Sequence, residues 1–196
     1  MVPEILEISL SEWIVVDGNY GDFKAGDECS FALELLPEQV QRTQSSKPGV
    51  SFRRKGATPY PQYNFVGEVV YAGDDWYAFD AGVMAYYKSW SKEVAFKKGD
   101  WISGVAAFGV DHYSYFESYG KRAGSPALIY DWCVERIRIQ TAPFVERAER
   151  VFERDQTKLG WREIAETNCY KDDGGFGEYI LSCRRMNVAP RRAKTK

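Results

Sequence analysis

One histidine, His112, serves the whole 196-residue chain, and that scarcity excludes a good deal of chemistry. Metal centres built on two or more imidazoles are ruled out, and any Ser-His-acid or Cys-His relay must run through this residue. Its surroundings, Val110-Asp-His-Tyr-Ser-Tyr-Phe116, alternate as a strand would, which puts His112, Ser114 and Phe116 on one face. No Gly-x-Ser-x-Gly elbow occurs. The reading is a structural histidine, with no catalytic residue assigned. Cysteine is sparse too. Cys29, Cys133, Cys169 and Cys183 contain no C-x-x-C pair, so a disulfide scaffold and the common zinc and redox motifs lack support, and free buried thiols are expected. The glycine-rich Asp172-Asp-Gly-Gly-Phe-Gly177 lacks the lysine that meets a phosphate. No metal and no cofactor are expected.

Long apolar runs are missing as well. The longest, Trp101 to Val110, is broken by Ser103, Gly104 and Gly109 and falls far short of the roughly 20 residues that span a bilayer. Met1-Val-Pro-Glu4 has neither the basic start nor the apolar core of a secretory signal. A cytoplasmic chain that stays out of the membrane is the expectation.

What is abundant is aromatic side chain: 13 Tyr, 11 Phe and 6 Trp. Charge is abundant in blocks. The first 40 residues hold nine acids and a single base, Lys24; residues 41–55 hold five bases and no acid; residues 184–196 hold six bases and no acid. An acidic body thus carries a basic segment and a basic tail.

Period-two alternation dominates the chain. Leu6, Ile8 and Leu10 point one way, and Cys29, Phe31, Leu33 and Leu35 repeat the pattern, as half-buried strands do. Strands are also read at 65–71, 76–80, 83–88, 101–108, 112–117, 127–141, 161–170 and 176–186, with a tight hairpin at Ala72-Gly-Asp-Asp75 and another turn at Lys171-Asp-Asp-Gly-Gly175. Residues 41–62 read as a long basic loop and 187–196 as a flexible basic tail, leaving 1–186 as one β-rich domain. One segment departs from the rhythm. Across 143–155, Phe144, Val145, Ala148, Val151 and Phe152 recur at helical spacing, with Glu146 and Arg150 four apart, Thr141 able to cap and Pro143 in the first turn. A short amphipathic helix packed on a sheet is predicted there. The fold class is mainly β, an antiparallel barrel or twisted sandwich with that one helix.

Phe23-Lys-Ala-Gly-Asp-Glu-Cys-Ser30 echoes Phe96-Lys-Lys-Gly-Asp-Trp-Ile-Ser103 at five of eight positions. Two related β-lobes or one turn used twice would each produce this, and the second is the simpler reading. The stretch Val66-Gly-Glu-Val-Val-Tyr-Ala-Gly-Asp-Asp-Trp-Tyr-Ala-Phe-Asp-Ala-Gly82, followed by Phe96-Lys-Lys-Gly-Asp-Trp-Ile-Ser-Gly104, resembles the opening and middle of an OB-type small barrel, in which a Gly-x-Val strand, a hairpin and a Lys-x-Gly-Asp turn recur. The resemblance covers about a quarter of the chain and implies fold more than function.

Three further candidates have plainer readings. Asp17, Asn19 and Glu28 fall at positions one, three and twelve of a calcium-like loop, but Gly21 and Asp22 occupy positions five and six the wrong way round, so an Asx-turn is expected. The pairs Asp74/Asp75 and Asp172/Asp173, with Asp80, could line a sugar cleft, yet both pairs sit at hairpin tips. Outward-facing rings remain. Trp76, Tyr77, Trp101, Tyr113 and Tyr115, with Asp74 and Asp75, would anchor a partner protein of basic character, as in an inhibitor or immunity-type protein that masks a cationic effector. The alternative is an OB-like single-stranded nucleic-acid binder, in which Arg53, Arg54 and Lys55 grip phosphate and Trp76, Tyr77 or Tyr113 stack bases.

Overall fold

The computed structural model describes residues 2–17, 20–53, 60–88 and 95–193. The chain opens with β1 (Ile5–Ser11), whose Leu6, Ile8 and Leu10 face inward, and continues into the short helix α1 (Glu12–Val16). β2 (Glu28–Phe31) and β3 (Leu33–Arg42) are parted only by Ala32 and run on almost as one strand. Then come β4 (Gly49–Arg53), β5 (Gln62–Ala72), β6 (Trp76–Asp80), β7 (Met84–Lys88) and β8 (Trp101–Val110). After a π-helical turn at Ser114–Ser118 and a 3-10 turn at Tyr119–Lys121, the second half supplies β9 (Tyr130–Gln140), β10 (Phe144–Ala148), β11 (Val151–Arg154), β12 (Trp161–Ile164) and β13 (Glu178–Arg185).

The chain is mainly β and builds a closed five-stranded barrel. β5, β6 and β7 form an antiparallel meander and β8 returns beside β5, which is Greek-key order. β3 pairs antiparallel with β8, and its Glu34 bridges Tyr86 of β7 in parallel to close the ring. Phe65, Val69, Phe79, Ile102 and Phe108 fill it. β8 can pass close to a bulge in β3 because it carries glycine there: a Cβ on Gly104 would lie 1.9 Å from the Gln39 carbonyl oxygen. The same sheet continues beyond the ring as an antiparallel portion, β1-β13-β9. The far edge of β9 is shared, with β2 on its first half and β12 on its last. A parallel bridge from Ser9 to Gly109 joins β1 to β8.

The echoed octapeptide is more than one turn used twice. Gly26 and Gly99 share the left-handed backbone (φ +93° and +92°), open to glycine at little cost. Gly26 donates its N–H to Val134 and Gly99 to Val69, and each valine N–H returns to the carbonyl of the following aspartate, Asp27 or Asp100. Both valines stand just before a bulge, at Glu135 in β9 and Val70 in β5. Each motif then launches a strand beside that partner. β8 also meets β1 in parallel as β3 meets β7, with Glu34 directly opposite Gly109. The molecule therefore contains two related β-lobes that share β3 and β8.

The helix predicted at 143–155 is not formed. β10 and β11 make a separate two-stranded hairpin, turned at Arg150 (φ +62°). The pair read as a helical ion pair serves that turn instead, the Glu146 carboxylate accepting the Arg150 backbone N–H at 3.0 Å. Thr141 donates its backbone N–H to Gly160 rather than capping a helix. No described sheet receives the supposed apolar stripe, and Phe144, Val151 and Phe152 stay exposed, so β-branched and aromatic residues take the extended form that suits them. The short helix of this fold is α1. Residues 112–117 are likewise not a strand, and a π-helical turn begins among them at Ser114, because Asp111 draws in the backbone N–H groups of Tyr115 and Phe116, both at 3.0 Å. β12 and β13 pair with opposite edges of β9 and not with each other. Within the segment read as a loop at 41–62, β4 pairs with β5. The basic tail docks as far as Ala193: Arg191 exchanges backbone hydrogen bonds with Ile129 and binds Asp131 at 2.6 Å.

Candidate functional site

Three of the seven residues expected to anchor a partner are interior. Trp76 and Tyr115 are fully buried and Tyr77 nearly so. The expectation rested on phenol hydroxyls needing water, and the fold supplies internal partners instead. Tyr115 donates to the Pro126 carbonyl, and Tyr86, in the same cluster, donates to Asp111 at 2.6 Å. Trp76 stacks on Tyr119 at 4.8 Å, and Tyr77 meets Phe96 edge-on at 5.4 Å. None of these rings offers a contact surface or a base-stacking platform. Trp101 is half-buried at the start of β8, and Tyr113 is half-buried against Trp13 and His112. Asp74 is exposed, while Asp75 is held by Arg122 at 2.9 Å.

The remaining carboxylates do turn duty. Asp80 accepts the Gly82 N–H, Asp172 accepts the Asn168 N–H and the Tyr179 hydroxyl, and Asp173 pairs with Arg154. Asp22, from the calcium-like loop, accepts the Thr167 hydroxyl and the Cys169 N–H; Asn19 lies outside the described residues. Among the described residues no three His, Cys, Asp or Glu side chains converge as metal ligands.

Arg53 alone among the three bases named for phosphate lies within the described residues; Arg54 and Lys55 fall outside them. Arg53 lines a cleft of about 610 Å³ between the β4–β5 hairpin and the outer face of the β1-β13-β9-β12 sheet. The hairpin contributes Phe52, Tyr60 and Gln62, and the sheet contributes Glu7, Arg136, Arg138 and Trp161. Strand alternation makes the sheet wall. In Val134-Glu-Arg-Ile-Arg-Ile-Gln140, Ile137 and Ile139 enter the core, so Arg138 turns outward beside Arg136.

Three arginines face one carboxylate across this cleft. Glu7 holds Arg136 at 3.5 Å, binds Arg138, and accepts the Ser182 hydroxyl at 2.8 Å. Among the described residues Arg53 has only a distant partner in Glu38, at 3.8 Å. The Arg138 guanidinium lies 6.0 Å from the Trp161 ring centre, and its buried Nε has no hydrogen-bond partner among the described residues; the same is true of Gln62 Oε1. Phe52, 52% exposed, stands edge-on to Tyr63 at 5.6 Å. Tyr63 is locked beneath, its hydroxyl accepting the Glu7 N–H at 2.7 Å, and burial pushes its pKa upward. At the rim, burial lifts Tyr60 to about 12, with Glu178 3.5 Å away. The cleft thus offers surplus guanidinium charge, the exposed ring of Phe52 and the half-buried ring of Trp161. Such a surface suits an extended polyanion carrying flat groups. Arg136, Arg138, Trp161 and Phe52 were missed from sequence, although the two-residue spacing of the arginines in an apolar strand was readable.

Comparison of the chain with protein-family models, with curated proteins and with solved structures found no match in any of the three.

Proposed function

We propose that the chain binds single-stranded nucleic acid in the cleft between β4–β5 and the outer sheet, and that its closed ring is a barrel of the OB type. The observation that carries the reading is the union of Arg53, Arg136 and Arg138 with the rings of Phe52 and Trp161 in one cleft. Guanidinium groups neutralise phosphate and stack on bases, and aromatic faces accept any base at about 1–3 kcal/mol each. Five-stranded Greek-key closure supports the OB assignment, since such barrels bind oligonucleotides. Here the closing strand, β3, precedes the Greek key in the chain instead of following it.

Masking of a basic effector draws less support, because its ring anchors Trp76, Tyr77 and Tyr115 lie in the core. The overall acidity of the chain does not oppose nucleic-acid binding. The negative blocks lie mainly outside the cleft: Glu7 is the acid of its described lining, and Glu38 and Glu178 stand at its edge beside Arg53 and Tyr60.

The reading is tested by fluorescence anisotropy with a labelled oligothymidylate at low salt. Phe52→Ala and Trp161→Ala should each weaken binding about 5- to 150-fold, in line with one lost stack. Equal affinity in both variants and the parent protein would overturn it.

A further inference from the structure

We propose that Glu34, His112 and Ser114 form an acyl-transfer site in which the Ser114 hydroxyl attacks small esters of aromatic or other apolar acids. The lone histidine is held from both sides. Its Nδ1 lies 2.9 Å from Glu34 Oε2, and its Nε2 lies 3.0 Å from Ser114 Oγ. Both distances fall in the range that lets an imidazole take a hydroxyl proton while a carboxylate fixes its tautomer.

The three groups meet because two distant segments are brought together. Glu34 stands opposite Gly109 in the β3–β8 pairing, just where β8 ends and the chain turns through Asp111 into the π-helical segment that starts at Ser114. Buried Asp111 fixes that turn through the N–H groups of Tyr115 and Phe116, so the position of Ser114 is set by core contacts. The site is neither sealed nor freely solvated: the His112 and Glu34 side chains are 18% and 12% exposed. An apolar wall adjoins it. The Trp13 ring lies 5.3 Å from the imidazole and 6.0 Å from Tyr113, and Trp13 and Phe116 are 42% and 45% exposed.

In the step proposed, Ser114 Oγ bonds to the ester carbonyl carbon while its proton passes to His112 Nε2. The tetrahedral species collapses with cleavage of the carbon–alkoxide bond, and His112 returns the proton to the departing alcohol. Water, giving a proton to the same nitrogen, then attacks the acyl carbon; the bond from that carbon to Ser114 Oγ breaks, His112 returns the proton to Oγ, and the carboxylic acid leaves. Glu34 is a positioning residue, since it acts through His112.

The test is labelling of the native full chain with a fluorophosphonate probe, followed by intact mass and peptide mapping, with turnover of p-nitrophenyl phenylacetate measured alongside. A single adduct on Ser114 is expected. Ser114→Ala should abolish it, and His112→Ala should slow labelling by about 100-fold or more. The labelling rate should rise with pH through a midpoint above the ordinary histidine value, and Glu34→Gln should shift that midpoint down, which a merely structural Glu34 would not do. Trp13→Ala should raise KM for the aromatic ester more than for p-nitrophenyl acetate. Circular dichroism establishes that each variant is folded. A folded parent protein that takes no adduct, or an adduct that persists in Ser114→Ala, overturns the proposal. Neither outcome bears on the nucleic-acid cleft, which shares none of these residues.

Discussion

Arg138 and Glu7, 131 positions apart in sequence, meet across the intervening strand β13, and the same carboxylate also holds Arg136. Glu7 therefore sets how much positive charge the cleft shows to a ligand. Glu7→Gln keeps a hydrogen-bonding side chain and removes the neutralising charge. It should strengthen oligonucleotide binding by about 1 kcal/mol, roughly fivefold, as read by anisotropy at low salt. Weaker binding would mean that Glu7 orients the arginines more than it restrains them.

The hairpin formed by β10 and β11 gives a stability prediction. Phe152 is 60% exposed, so Phe152→Ala should change unfolding free energy by less than about 0.5 kcal/mol in urea denaturation. Had 143–155 packed a helical stripe on the sheet, the same substitution would cost about 3–5 kcal/mol.

The related lobes predict a contrast between glycines. A Cβ on Gly26 or Gly99 meets no atom within 4 Å, so Gly→Ala there costs only left-handed backbone strain, about 1–2 kcal/mol. The Cβ of Gly104→Ala would press on the Gln39 carbonyl and force apart β3 and β8, which both lobes share. A loss of about 3 kcal/mol or more, and a clearly lower Tm than either other variant, is expected.

His112 links stability to pH. Its hydrogen bond to Glu34 is the main cause that raises its pKa above 6.5 in the folded state. A histidine raised in this way contributes stability that is fully present below the unfolded value of about 6.5 and is lost as pH climbs through the higher folded value. Thermal unfolding should therefore show a small decline across that interval, on the order of 1 kcal/mol, and Glu34→Gln should flatten it. A profile unchanged by the substitution would contradict the pairing.

Much of the β architecture was legible because alternation is a local property. Leu6, Ile8 and Leu10, or Phe31, Leu33 and Leu35, declare a buried face without reference to anything else. The Phe-Lys-x-Gly-Asp echo was visible too, but its meaning was not, since the valine carbonyls and bulges that make the lobes equivalent lie about 30 residues away in one case and more than 100 in the other. The 143–155 segment misled for the opposite reason. Its residues fit a helical period, and only the lack of a described sheet to pack against decides for a hairpin. Site residues were the least legible. Tyr115 and Trp76 had the composition of a surface, yet internal acceptors and ring partners drew them into the core. Arg136 and Arg138 sat in a strand whose alternation was read for its apolar face alone.

The most direct measurement of the central claim is the salt dependence of oligothymidylate binding by the parent protein and by Arg136→Ala/Arg138→Ala. Two lost phosphate contacts should weaken binding at low salt and reduce the slope of log affinity against log salt by about 1.4. An unchanged slope and affinity in the double variant, with the fold intact, would contradict the account.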